Sequence, residues 1–160
     1  MGDIMDISKN FGIDALGDNT ETEGKYLTFF TDNQLFGVPI ADVLQIVGIQ
    51  KITSIPELPV FVKGIINLRG TVISVIDMRL RLRKEEIGYN ERTCIIVTNI
   101  DERSVGFIVD AVDEVAKIDA ANISEPPKIS GDAVNSYLTG IAKQGSKVIL
   151  LVDTEKISAW

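Results

Sequence analysis

Three groups of side chains in this sequence have types and spacings that could do chemistry. Asp110, Asp113 and Glu114 form the densest carboxylate group in the middle of the chain, the donor type a hard divalent cation takes. Asp77 and Asp153 each close a hydrophobic strand, and two carboxylates facing one another could share acid and base roles. Cys94 is a lone thiol. A cation site needs further oxygen ligands at loop spacing, and none accompanies the first group, so solvated residues after a strand are the simpler reading. Asp77 and Asp153 stand at matching places in an internal repeat, which a duplicated strand-end role explains without catalysis. Cys94 lies in the apolar stretch Thr93-Cys94-Ile95-Ile96-Val97 and reads as a small core residue. The 160 residues hold no histidine, which removes the Ser-His-Asp and Cys-His nucleophile pairs, imidazole-ligated metals and a phosphoryl-accepting histidine. Gly145-Ser146-Lys147 lacks the upstream glycine of a P-loop, and Asn122-Ile123-Ser124 is a glycosylation sequon without a signal peptide. No cofactor, metal or catalytic group is expected.

Three features remain. Arg69 sits at a turn between two hydrophobic strands, Val62-Lys63-Gly64-Ile65-Ile66-Asn67-Leu68-Arg69-Gly70, where glycines permit tight backbone geometry. The stretches 40–46 and 109–115 place apolar residues after a strand, either as plugs of a barrel or as an exposed contact surface. Arg79, Arg81 and Arg83 alternate with Met78, Leu80 and Leu82, as the two faces of a strand would.

The elements that must position these residues are short. From Tyr26 onward, β-branched and aromatic runs are separated by Gly, Asn, Asp and Pro, the pattern of an all-β fold. Strands are expected at 26–31, 34–40, 48–54, 63–68, 71–82, 92–99, 104–110, 114–118, 138–143 and 146–153. Internal similarity then divides the chain. Leu27-Thr28-Phe29-Phe30-Thr31 matches Cys94-Ile95-Ile96-Val97-Thr98 at an offset of 67. Phe36-Gly37-Val38 and Val43-Leu44-Gln45-Ile46 match Val105-Gly106-Phe107 and Val112-Asp113-Glu114-Val115 at 69. Gly64-Ile65 and residues 72–77 match Gly140-Ile141 and residues 148–153 at 76. Two copies of a five-stranded unit follow, a first of about 25–88 and a second of about 89–157, with strand exchange between them left open. A small closed barrel suits each, because closure removes exposed strand edges.

Charge adds a further division. Lys and Arg number 16 against 23 Asp and Glu, a net charge of −7. Six carboxylates against Lys9 put −5 of it in residues 1–24, an arm read as disordered and flexible or, more sharply, as a short docking segment. An acidic chain is no nucleic-acid binder and has no attraction to anionic lipid. Apolar runs stay far below the ~18 residues of a membrane span, and MGDIMDISKN lacks the basic start of a secretory signal, so a cytoplasmic protein is expected.

At these residues the chain resembles the chemotaxis coupling (CheW-like) family. The resemblance runs from about Tyr26 to Ile157 and is most specific in Gly64-Ile65-Ile66-Asn67-Leu68-Arg69-Gly70 followed by Val75-Ile76-Asp77-Met78-Arg79. Phe36-Gly37-Val38-Pro39-Ile40, Val43-Leu44-Gln45-Ile46, Ile55-Pro56 and Tyr137-Leu138-Thr139-Gly140 follow the family's order around it. It implies two packed SH3-like β-barrels with short helical turns. It also implies a non-catalytic adaptor linking the cytoplasmic tip of methyl-accepting chemotaxis receptors to the regulatory domain of the histidine kinase CheA, recruited to membrane receptor arrays without touching the membrane. Carried over, Arg69 is the family's sensitive arginine. Ile40, Val43, Gln45 and Ile46 face the receptor from the first barrel, and Val112 and Val115 line the same groove from the second. Gln45 replaces a common glutamate, and Ser74 a frequent proline. Two other readings are a coupling-like module of another two-component assembly and a small-ligand protein using the cleft between barrels; the latter needs polar groups converging there.

Overall fold

A computed structural model of the chain describes residues 6–11, 22–128 and 134–160. Among the described residues, eleven strands follow in chain order: β1 (Lys25–Thr31), β2 (Gln34–Pro39), β3 (Val43–Gly48), β4 (Val62–Leu68), β5 (Thr71–Asp77), β6 (Cys94–Ile100), β7 (Arg103–Val109), β8 (Ala111–Lys117), β9 (Ile123–Ser124), β10 (Leu138–Gln144) and β11 (Lys147–Val152). Two one-turn helices, α1 (Met78–Arg81) and α2 (Thr154–Ser158), follow β5 and β11. The all-β expectation holds.

The strands form a six-stranded sheet, β8-β1-β2-β11-β10-β9, and a five-stranded one, β3-β6-β7-β5-β4. Each contains one parallel pair, β2 with β11 and β5 with β7. The repeats have exchanged hairpins: β1–β2 of the first lies among strands of the second, and β6–β7 of the second lies among strands of the first. A cut near residue 88 separates the repeats in sequence but not the two sheets.

Burial on both faces explains the longest apolar runs. Ile95 and Val97 join Val47, Ile66, Leu68, Ile73, Val75 and Ile108 in a cluster fed by all five strands of one sheet, so that sheet curls around it. Cys94 and Ile96, pointing the other way, join Phe29, Phe36, Phe107 and Ile76 between the sheets. A third cluster, with Ala116, Ala142, Ile149 and Leu151, fills the curl of the six-stranded sheet.

Several expected elements are corrected. The alternation over 77–83 is not strand. The Asp77 carboxylate accepts the Leu80 N–H at 3.3 Å, capping α1, and Met78 and Leu82, four apart, both reach the core. Asp153 caps α2 in the same way, its carboxylate accepting the Glu155 N–H at 3.1 Å and the Lys156 N–H at 3.2 Å. The two aspartates therefore do share a duplicated strand-end role. β3 lies at Val43–Gly48 rather than 48–54, where only Thr53 bridges to Ile65. β8 begins at Ala111 rather than at 114. Within the acidic arm, residues 6–11 are docked: Asp6 bridges to Val47 and a 3-10 turn covers Ser8–Phe11. Residues 1–5 and 12–21 of the arm lie outside the described residues.

Candidate functional site

Two matching β-bulges decide which of the candidate side chains reach the surface. On β1, Leu27 and Phe29 lie opposite Val115 and Val112 of β8, so two steps on one strand span three on the other. Thr28 fills the irregularity. Its hydroxyl lies 2.9 Å from the Glu114 carbonyl oxygen and 3.0 Å from Asp113 Oδ2, and accepts the Glu114 N–H at 3.1 Å. Residues three apart on a regular strand face opposite ways, but here Val112 and Val115 both turn to the core between the sheets. β3 repeats the device against β6, where Val43 faces Thr98 and Gln45 faces Val97, and Val43 and Ile46 share the core side.

The two copies differ in exposure. Val43 is 4% exposed and Ile46 fully buried, so both are core residues with residues 6–8 lying on β3. Val112 and Val115 are half-buried on β8, the end strand of its sheet. Ile40, in the 3-10 turn Ile40–Asp42, is half-buried against the same core, and Asp42 of that turn accepts the Thr154 hydroxyl at 3.0 Å. Gln45 is half-buried and, among the described residues, its side chain makes no hydrogen bond. The two readings of these stretches thus divide between the repeats: a plug in the first, an apolar rim in the second.

Arg69 lies apart from this rim, on the β4–β5 hairpin. Leu68 pairs with Thr71, leaving Arg69 (φ 52°) and Gly70 (φ 89°) as a two-residue turn with both φ positive, and Asn67 Oδ1 accepts the Gly70 N–H at 2.8 Å. Its side chain is exposed and makes no ion pair or hydrogen bond among the described residues. No such contact joins it to Gln45, Val112 or Val115.

Apart from the exposed Arg83, the other charged candidates are held by the fold. Arg79 and Asp110 form a bidentate pair, with Nε 3.0 Å from Oδ1 and Nη2 2.8 Å from Oδ2, and Asp110 also accepts the Asp32 N–H at 2.8 Å. That bond with Asp110 holds the Arg79 guanidinium still more firmly in its charged form. Asp113 and Glu114 face Lys147 at 3.5 Å, and these carboxylates, Asp113 foremost, raise the lysine's pKa. Asp110 and Asp113 are therefore tied to internal partners, a correction to the solvated reading, while Glu114 stays exposed as that reading expects. Burial pushes the Cys94 thiol up, away from the reactive thiolate. The Arg79–Asp110 pair had no signal in the sequence, because α1 had to form before the guanidinium could reach β7. Among the described residues, no three groups gather as metal ligands, and no helix is long and apolar enough to cross a membrane.

Fold and site together define the class: an all-β protein of two units with exchanged hairpins, internally paired charges and an apolar rim on an end strand. Residues 25–160 match the family model described as CheW-like domain, and the chain belongs to that family. It is 36% identical to the chemotaxis protein CheW of Klebsiella aerogenes over 138 residues, 86% of this chain and 83% of that one. With the CheW of Helicobacter pylori it shares 28% identity over 156 residues, 97% and 93% of the two chains. Among solved structures it resembles the scaffolding protein TtCheW of Thermoanaerobacter tengcongensis, with a TM-score of 0.75, 39% identity, and coverage of 81% of this chain and 88% of that one.

Proposed function

We propose that this protein is a non-catalytic adaptor that couples the cytoplasmic tip of methyl-accepting chemoreceptors to the histidine kinase CheA. The observation that carries the reading is the bulge at Asp113-Glu114, which turns two valines to one side of an end strand and leaves both half-exposed. A receptor tip built as a helical hairpin presents an amphipathic face, and a rim of Ile40, Val112 and Val115 can bury its apolar stripe. Arg69, exposed and unpaired among the described residues, supplies a guanidinium for a carboxylate on the partner, and Gln45 a neutral hydrogen bond. The kinase is left the hairpin faces of β5 and β11, where Val72 and Val148, equivalent in the repeat, are 60% and 51% exposed. Holding kinase and receptor together raises the local concentration of each for the other. A receptor shift then changes kinase activity only through contacts that differ between two states.

The test is reconstitution of kinase activity with a receptor fragment, with and without this protein. Val115→Asp should abolish the receptor-dependent change while leaving the circular dichroism intact, whereas Ile46→Asp should unfold the chain. Full coupling by the Val115 variant would sink the proposal.

A further inference from the structure

Residues 6–8 lie along the outer edge of β3. Asp6 bridges to Val47 in antiparallel register, the Ile7 N–H donates to the Ile46 carbonyl at 2.8 Å, and the Ile46 N–H donates to Ser8 Oγ at 2.9 Å. Asp6 Oδ1 in turn accepts the Ser8 N–H at 2.9 Å, fixing the turn into the 3-10 helix Ser8–Phe11. Ser8 is buried, and Ile7 packs against the core between the sheets. β3 is the end strand of its sheet, so this segment supplies the second neighbour that an end strand otherwise lacks.

The repeat provides an internal control. β3 and β8 carry the same bulge and the same apolar pair, and each ends its sheet. Among the described residues, only β3 has a segment laid on its edge. The two edges belong to one neighbourhood. Cys94 lies opposite Gly48 of β3, and Ile7, Ile40, Val112 and Val115 all pack against the core that Cys94 shares.

We propose that residues 6–11 are a built-in competitor for the edge of β3. The apolar stripe of a receptor helix seated on Val112 and Val115 extends over Ile40 and β3 only when Ile7 and Ser8 leave. This rests on the adaptor reading above and adds a regulatory step to it: the segment lowers receptor affinity by the fraction of time it is docked. Among the described residues its hold on β3 is light, one β-bridge, one backbone hydrogen bond, one hydroxyl and one half-buried isoleucine.

The experiment uses the full chain carrying Ile7→Asp and Ser8→Ala together, titrated with a receptor-tip fragment, alongside hydrogen exchange at the Ile7 amide of the unaltered chain. Expected are an unchanged circular dichroism spectrum, binding about fivefold to tenfold tighter in the variant, and faster Ile7 exchange in the unaltered chain once the fragment binds. If both chains bind the fragment and the variant binds equally or more weakly, the competitor is overturned while the adaptor reading stands. If neither binds, the adaptor reading falls and takes the competitor with it. Should the variant unfold, exchange decides alone: an Ile7 amide no less protected in the complex overturns the proposal.

Discussion

Arg69 holds a backbone conformation that costs an arginine about 1 kcal/mol or more relative to glycine or asparagine. The turn itself would be better served by Asn-Gly. Arg69→Asn should therefore raise the unfolding midpoint by about 2–4 °C while losing receptor coupling, and Arg69→Glu should keep the fold and lose coupling too. Calorimetry beside the kinase assay checks both; an Asn variant that melts lower would remove the strain argument. Asp77 offers a pH-dependent test. Burial raises its carboxyl above the ordinary 3.8, against the lowering effect of the Leu80 N–H and the Tyr89 hydroxyl. A group raised in the folded state favours folding where it is protonated, and that contribution is lost as pH rises through the folded value. Asp77→Asn keeps an acceptor for Leu80 and cannot ionise. Its advantage over the unaltered chain should be absent near pH ~3 and grow through the carboxylate range to a plateau, read from urea unfolding. A pH-independent difference would mean that Asp77 titrates as an ordinary aspartate.

At the scale of elements, the duplicated Gly-Ile motif has a structural cause. Thr53 and Ile65 exchange two backbone hydrogen bonds of 2.9 Å, laying one segment across β4 directly over Gly64. A Cβ on Gly64, whose φ is +142°, would sit 2.0 Å from the Thr53 carbonyl oxygen. On Gly140, its counterpart, the nearest atom is the Ile123 Cγ2 methyl at 2.8 Å. Gly64→Ala should cost about 3 kcal/mol or more and Gly140→Ala about 1–3 kcal/mol; equal losses in urea melts would refute the asymmetry. The motif was legible in the sequence, and so were the strand-end aspartates, because each repeats at a fixed offset. What failed were elements whose period is broken locally. The bulge in β3 puts Val43 and Ile46 on one face at a spacing of three, which a period of two cannot describe. The run Met78-Arg79-Leu80-Arg81-Leu82 satisfies both strand alternation and an i, i+4 helical contact, and the Asp77 cap decides between them. The site divided for the same reason. Apolar residues in both bulges look alike in sequence, and only the segment laid on β3, together with the packing between sheets, makes one pair core and the other rim.

For the whole molecule, the exchanged hairpins mean that neither repeat closes its sheet alone, and the two halves meet at Arg81. Its guanidinium lies 4.2 Å from the centre of the Phe61 ring and 4.8 Å from that of Tyr137. Those two rings are themselves repeat counterparts, 76 positions apart, each just ahead of the strand that opens the last hairpin of its copy. Their carbonyls play matching parts, Phe61 accepting the Asp77 N–H and Tyr137 the Asp153 N–H, each at 2.8 Å. Arg81 also donates from Nε to the Ile157 carbonyl at 2.8 Å and from Nη2 to Lys156 and Ala159 at 3.1 and 2.6 Å. One side chain of the first repeat thereby satisfies the carbonyls at the end of α2, which closes the second. Arg81→Ala should cost about 1–3 kcal/mol, since it takes the donor from the part-buried Ile157 carbonyl and removes a guanidinium held between two rings. Arg81→Lys should recover little, because an ammonium cannot serve three carbonyls from one plane. Amide exchange separates this junction from a local contact: the Ala variant should lose protection in both sheets together, while loss confined to α2 would show that Arg81 secures only the C-terminal helix.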